Sequence, residues 1–332
     1  MISSFNIFFI IKMVLFEEII KKCPMKVFQC QEEDIEYGKK LGEGGSEVYI
    51  VDFKGKQYAG KIYGGTELEE ILYELRVAKK LETAKQCVQT YGVIVTEENI
   101  IILMELLKSN GDLYDYTSNI ADWTPCYMRK NSKILVPKPK TDYVYFNREE
   151  DIYWCYELSE KQKMKITLSL AHAVKELHDH KIIHGDIKTN NMVLHYMEKK
   201  QIIKLIDFGM SYFSNTNKLI DIECKCGTMG YRAPEQENYQ MNYKSDVYSM
   251  VATIVEVWNG DIWDEGDTFK ECRNELLKGL RKIEKNHKQL GNLLRKGIHL
   301  NYQKRPTSQK FLNSLKNILA NNGHKYKSNL HH

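Results

Sequence analysis

Ile183-His184-Gly185-Asp186-Ile187-Lys188-Thr189-Asn190-Asn191 is the most informative run in the chain. It follows a strong amphipathic pattern over Ser159 to Asp179, where Ile166, Leu170, Ala173, Val174 and Leu177 fall on one helical face. Ser159, with Gln162 three residues on, is a capping-box signature for the start of that helix. The loop after it carries a carboxylate (Asp186), an ammonium two residues on (Lys188) and an amide five residues on (Asn191), which can converge on one point. Together they suit phosphoryl transfer: one group orients a hydroxyl, one neutralises charge and one binds a metal.

Three further motifs flank this run. Downstream, Leu205-Ile206-Asp207-Phe208-Gly209 places an Asp at the end of an apolar strand before a glycine pivot. Such an Asp can hold Mg²⁺ against phosphates, although Asp-Phe-Gly alone is a common turn. Upstream, Leu41-Gly42-Glu43-Gly44-Gly45-Ser46-Glu47-Val48 lies between the strand patterns Ile35 to Leu41 and Glu47 to Phe53. Its glycines let backbone N–H groups approach phosphate oxygens, although alone it reads as a hairpin. In Tyr58-Ala59-Gly60-Lys61-Ile62 a lysine sits inside an apolar strand. Burying its charge requires an anionic partner; viewed alone, it reads as an edge lysine with its ammonium in water.

The N-terminal half reads strand, strand, strand, helix (Glu67 to Leu81), then two strands (Thr90 to Thr96, Ile100 to Met104) joined by Glu97-Glu98-Asn99. After a β-rich middle (Asn191 to Leu194, Ile202 to Ile206), helical patterns dominate from Lys244 to Leu319. A small β-rich lobe followed by a larger helical lobe is an α+β, bilobal arrangement. Asn119 to Glu157, rich in Tyr and Trp around Lys138-Pro139-Lys140, shows no clear periodicity and reads as an insertion.

The 332 residues allow one bilobed domain or two modest ones, and a hydrophobic fraction of 42% excludes disorder over most of the length. A net charge of +4 is too small to argue for a nucleic-acid partner. The eight cysteines are scattered without a C-x-x-C pair, which argues against a zinc site or disulfide framework and for a cytoplasmic or nuclear location. Phe5 to Phe16 is apolar but shorter than the roughly 20 residues that span a bilayer. With no basic segment before it, it reads as a peripheral helix or an extension upstream of a start at Met13, and no stable membrane insertion is expected.

Taken in order, these motifs resemble the eukaryotic protein kinase superfamily over roughly Tyr37 to Leu319. The resemblance implies a kinase fold that holds ATP and Mg²⁺ between its lobes and phosphorylates protein substrates. Leu41, Gly42, Glu43, Gly44, Gly45 and Ser46 match the phosphate-covering loop. Val48, Ala59 and Val193 match the apolar surroundings of adenine, Met104 the gatekeeper, and Glu105 to Leu107 the hinge. Lys61 matches the lysine on the α/β-phosphates; its helix partner is Glu74, with Glu70 one turn earlier as the alternative. Asp186 matches the catalytic base, Lys188 the residue on the transferred phosphate, and Asn191 and Asp207 the metal ligands. Asp207, Phe208 and Gly209 open the activation segment, and Gly227-Thr228-Met229-Gly230-Tyr231-Arg232-Ala233-Pro234-Glu235 resembles its end. Glu235 is expected to pair with Arg305, and Asp246 to brace the catalytic loop, both as structural roles.

Lys188, and Thr228 followed by Tyr231, resemble the Ser/Thr form, which implies Ser/Thr acceptors on proteins. Two departures stand out. Strict glycine spacing would put the third glycine at Glu47, whose carboxylate is expected to point outward, or require one deleted residue before Val48. Gly185 stands where many members carry an arginine that pairs with a phosphorylated activation loop, so the catalytic loop is of the non-RD type. The competing readings are a pseudokinase scaffold and a kinase of small molecules. Lys61, Asp186, Asn191 and Asp207 argue against the first, and Thr228 to Glu235 against the second. The expected organisation is an extension over 1–34, a kinase domain over 35–320 and a polar tail over 321–332. Within that domain the lobes span 35–107 and 108–320, with the insertion at 119–157 as a candidate partner surface.

Overall fold

Strand alternation over Ile100–Met104 explains how the β-rich part of the chain is built. Ile100 and Ile102 join one buried cluster, while Ile101 and Leu103 join another. A strand with both faces covered needs apolar residues at every position, which this sequence supplies. The computed structural model describes residues 17–42, 47–64, 68–109, 112–114, 143–148, 151–156, 158–197, 200–260, 262–263 and 268–321. They fall into two units: residues up to Lys108 together with Asp207–Gly209, and Ser109–Ile206 together with Met210 onward.

The first unit contains helix α1 (residues 17–22), strands β1 (Val27–Gln29), β2 (Ile35–Gly42), β3 (Glu47–Phe53) and β4 (Lys56–Tyr63), helix α2 (Leu68–Lys80), and strands β5 (Thr90–Val95) and β6 (Ile100–Met104). The six strands form one sheet in the order β1-β5-β6-β4-β3-β2. Only β1 is parallel to its neighbour, with Val27 opposite Val93. One sheet face packs Tyr63, Val93, Val95, Ile100 and Ile102 against Ile71, Leu72 and Leu75 of α2. Within the segment read as an extension over 1–34, β1 completes the sheet and Ile19 of α1 is fully buried in the α2 cluster. Apolar burial of that kind stabilises by about 1.5–3 kcal/mol per large side chain, which gives the segment reason to dock. The apolar run Phe5 to Phe16, and the tail beyond Asn321, lie outside the described residues.

The second unit holds the strand pair β7 (Tyr143–Arg148) and β8 (Asp151–Tyr156), helix α3 (Glu160–Asp179), and short strands β9 (Ile182–Ile183), β10 (Met192–Met197), β11 (Lys200–Leu205), β12 (Tyr212–Phe213), β13 (Ile220–Asp221) and β14 (Gln240–Met241). Helices α4 (Tyr243–Asn259), α5 (Phe269–Asn286), α6 (Lys288–Gly297) and α7 (Ser308–Asn321) complete it. Within the segment read as an insertion, β7 pairs antiparallel with β8, Tyr143 opposite Tyr156. The remainder of 119–157 is outside the described residues. α3 starts as the sequence requires, with Ser159 N–H donating to Gln162 Oε1 at 2.8 Å. α4 is buried from Ser245 to Val257, which makes it the internal support of this unit. No described helix is long and apolar enough to cross a membrane.

One buried ion pair closes the helical part. Arg305 Nη1 and Nη2 donate to Glu235 Oε1 and Oε2 at 2.7 and 2.8 Å, and Ser245 Oγ donates to Oε1 at 2.6 Å. Arg305 is 2% and Glu235 7% exposed, so neither charge has water as an alternative partner. Arg305→Met should therefore lower stability by about 3–5 kcal/mol, because it strands the Glu235 carboxylate. Urea unfolding checks this; an unchanged midpoint would show that the pair contributes nothing net.

Candidate active site

In the first unit, strand alternation puts Ala59, Lys61 and Tyr63 on one face of β4. Lys61 Nζ donates to Glu74 Oε2 of α2 at 2.8 Å and lies 3.5 Å from Asp207 Oδ1. Of the two glutamates considered from sequence, Glu74 is the buried one and Glu70 is exposed. Burial opposes the charge on Lys61, but Glu74 and then Asp207 outweigh it and hold its pKa above the ordinary lysine value. The side chain is therefore cationic throughout the physiological range. Asp207 adopts a left-handed backbone, φ 57°, which costs a non-glycine residue about 1–2 kcal/mol. Phe208 beside it is buried, and Gly209 N–H donates to Asp207 Oδ1 at 3.4 Å.

Of the residues assigned to the adenine surroundings, Val48, Ala59 and Met104 lie on neighbouring strands of the first unit's sheet. Val48 pairs with Lys61, and Ala59 pairs with Met104. Ala59 is buried, while Val48 and Met104 are half-buried. Glu105 N–H donates to Gln89 O at 2.7 Å, and Leu107 is half-buried in the irregular segment that follows. Leu41 is exposed and Gly42 ends β2. Glu43, Gly44, Gly45 and Ser46 lie outside the described residues. Glu47 accepts from Lys40 at 2.8 Å and from Tyr49 at 3.3 Å, and the Lys40 bond draws its carboxyl below the usual range.

In the second unit, the loop that carries Asp186 hangs from α4. Asp246 Oδ2 accepts from His184 N–H (2.8 Å) and His178 Nε2 (2.9 Å), and Oδ1 accepts from Gly185 N–H (3.0 Å). Asp186 is 7% exposed and fully engaged. Its Oδ1 accepts from Thr228 Oγ1 at 2.8 Å and its Oδ2 from Asn191 Nδ2 at 2.9 Å, with Lys188 Nζ 3.2 Å from Oδ2. Lys188 Nζ also donates to Thr228 Oγ1 at 2.8 Å, which ties the activation segment to the loop. Asn191 commits its amide nitrogen to Asp186, to Oδ2 and to the main-chain oxygen at 2.8 Å, so its carbonyl oxygen is the atom suited to a cation. Val193 is half-buried on β10.

Gly185 has a structural reason to be glycine. Its φ is 81°, and a Cβ there would meet Met210 O at 2.4 Å. No arginine fits that position without moving the Met210 backbone.

Sequence reasoning missed several contributors. Gln236 Nε2 donates to Gly185 O at 2.9 Å and to Cys226 O at 3.2 Å, from a nearly inaccessible position. Glu256 of α4 accepts from Tyr231 at 2.6 Å and from Thr189 at 3.1 Å. Tyr63 donates to Glu74 Oε2 at 2.5 Å. Only Tyr63 had a local signal, its two-residue offset from Lys61. Cys224 and Cys226, read as scattered, bring their Sγ atoms to 3.6 Å, and burial with the Cys224 contact pushes the Cys226 thiol up to about 11.

No cluster of three His, Cys, Asp or Glu side chains that could hold a metal ion occurs among the described residues.

A family model described as protein tyrosine and serine/threonine kinase matches residues 47–315. The chain is 27% identical over 234 residues to stress-activated protein kinase alpha of Dictyostelium discoideum, covering 68% of this chain and 30% of that protein. It is 32% identical over 161 residues to the G-type lectin S-receptor-like serine/threonine-protein kinase RKS1 of Arabidopsis thaliana, covering 46% and 18%. It is also 32% identical over 126 residues to dual specificity protein kinase zak2 of Dictyostelium discoideum, covering 36% and 19%. The chain thus spans less than a third of the length of each of these relatives. Because the family match runs through most of the sequence and takes in both units, the chain belongs to the protein tyrosine and serine/threonine kinase family.

Proposed function

We propose that this chain transfers the γ-phosphoryl group of ATP to Ser and Thr hydroxyls of protein substrates. The observation that carries this is the fully engaged carboxylate of Asp186, held by Thr228, Asn191 and Lys188. Asp186 orients the acceptor hydroxyl and takes up its proton, and Lys188 offsets charge on the transferred group. Lys61, held by Glu74, positions the α/β-phosphates. Asn191 and Asp207 would hold Mg²⁺, which when bound neutralises charge on the phosphate oxygens. The adenine is received by Val48, Ala59, Val193, Met104 and the segment Glu105 to Leu107, with Leu41 to Ser46 covering the phosphates. The catalytic domain is taken as 35–320, with α1 and β1 accessory to it, and the site of action as cytoplasmic or nuclear. The insertion at 119–157 is the surface proposed for a protein partner.

Asp186→Asn and Lys61→Met should each reduce turnover at least about 100-fold while leaving a cooperative melt, since removing a proton acceptor or a preorganised cation costs that much or more. A radiolabelled ATP assay on a Ser/Thr peptide library checks this. Nucleotide-dependent melting with no transfer to any peptide by the wild type would instead make the chain a pseudokinase scaffold.

Gly185 supports a second element of the proposal, that activity is independent of activation-loop phosphorylation. The position has no room for the arginine that would read a phosphate. Phosphatase treatment should leave turnover unchanged. A loss of activity, with phosphate mapped between Met210 and Arg232, would contradict it.

A further inference from the structure

We infer, on the footing of the phosphoryl-transfer activity proposed above, that Tyr63 is a positioning residue for nucleotide binding: its phenol fixes the Glu74 carboxylate that holds Lys61. Tyr63 lies two residues after Lys61 on β4 and therefore on the same face. Its hydroxyl donates to Glu74 Oε2 at 2.5 Å, and Lys61 Nζ donates to the same oxygen at 2.8 Å. Tyr63 and Glu74 are 7% and 8% exposed, so water is not a ready substitute for either donor. Lys61 Nζ also lies 5.4 Å from the Tyr63 ring centroid, and the ring face attracts the ammonium.

The surroundings argue that the hydroxyl, not only the ring, has a task. Tyr63 is packed among Ile71, Leu72, Leu75, Val93 and Ile102, where a phenylalanine would fill the same volume. A buried hydroxyl in such a cluster is costly unless it is bonded, and Glu74 is its partner. Burial and the Glu74 charge push the phenol pKa up, so it stays a neutral donor across the physiological range.

The physical consequence appears when Lys61 is shared. As its ammonium turns part of its hydrogen bonding to the phosphates, its bond to Glu74 weakens. The phenol then keeps Oε2 in place from the same strand, so α2 need not shift. The hydroxyl is thus most valuable in the nucleotide-bound state.

The test is a double-mutant cycle of Tyr63→Phe and Glu74→Gln in the full chain. Mg-ATP affinity is read by equilibrium titration, and KM and kcat by peptide phosphorylation. Tyr63→Phe should weaken Mg-ATP binding and raise KM for ATP about threefold to tenfold, the range expected for one hydrogen bond, with kcat within about twofold. In the Glu74→Gln background the same change should add little, because the two residues act as one unit. An unchanged affinity in Tyr63→Phe, or an equal loss in both backgrounds, overturns the inference and leaves Tyr63 a packing residue. A wild type that binds no Mg-ATP overturns both this inference and the proposed activity. A wild type that binds without transferring phosphate overturns the activity alone, and a weaker Tyr63→Phe titration then still supports the positioning role.

Discussion

The carboxylate of Asp246, almost wholly withdrawn from solvent in the first turn of α4, is the constraint from which the catalytic loop takes its shape. A buried carboxylate without partners would cost several kcal/mol, so the fold must bring donors to it. It brings two successive main-chain N–H groups, of His184 and Gly185, and the ring of His178. Because Asp186 follows directly, fixing those two peptides fixes the direction in which the next side chain leaves the backbone. The proposed base is therefore held by a helix that carries none of the chemistry. α4 can serve in this way because it is buried along most of its length and has little freedom to move.

Gly185 completes the same device. Its N–H is held by Asp246 and its carbonyl by Gln236, while its φ of 81° turns the chain toward Asp186. The space a side chain would need is taken by the Met210 backbone. The absence of an arginine is thus built into the local geometry and is not an isolated substitution. The same contact brings the start of the activation segment against the loop, and Thr228 brings its end to Asp186 and Lys188. Residues on both sides of the segment, Met210 and Thr228, are thus held against the loop by main-chain and hydroxyl groups.

How much of this could be read from residues alone depended on how local the cause was. The helix over Glu160–Asp179 was legible because its cap and its apolar stripe lie within one window. Viewed alone, Lys61 reads as an edge lysine; its pairing with Glu74, with Glu70 as the alternative, was implied by the family resemblance, and the structure shows the Glu74 contact. The pairing of β7 with β8 carried a signal in Tyr143-Val144-Tyr145-Phe146 and Ile152-Tyr153-Trp154-Cys155-Tyr156. Those β-favouring runs were hidden by their aromatic-rich surroundings. Ile19 and β1 were not legible. A short apolar segment before a domain looks the same whether or not a sheet edge lies near to receive it. Gln236 and Glu256 were invisible for the same reason, since their partners lie far away in sequence.

The two lysines, one in each unit, are held in the same way. Lys61 is shared between Glu74 and Asp207, and Lys188 between Asp186 and Thr228. Neither ammonium is a loose surface charge. Each is directed by acceptors that are themselves held, Glu74 by Tyr63 and Asp186 by Asn191. Within each unit the ammonium is already oriented by its acceptors, so that ordering has been done in folding. The carboxylates that orient these cations also compete with a phosphate for them.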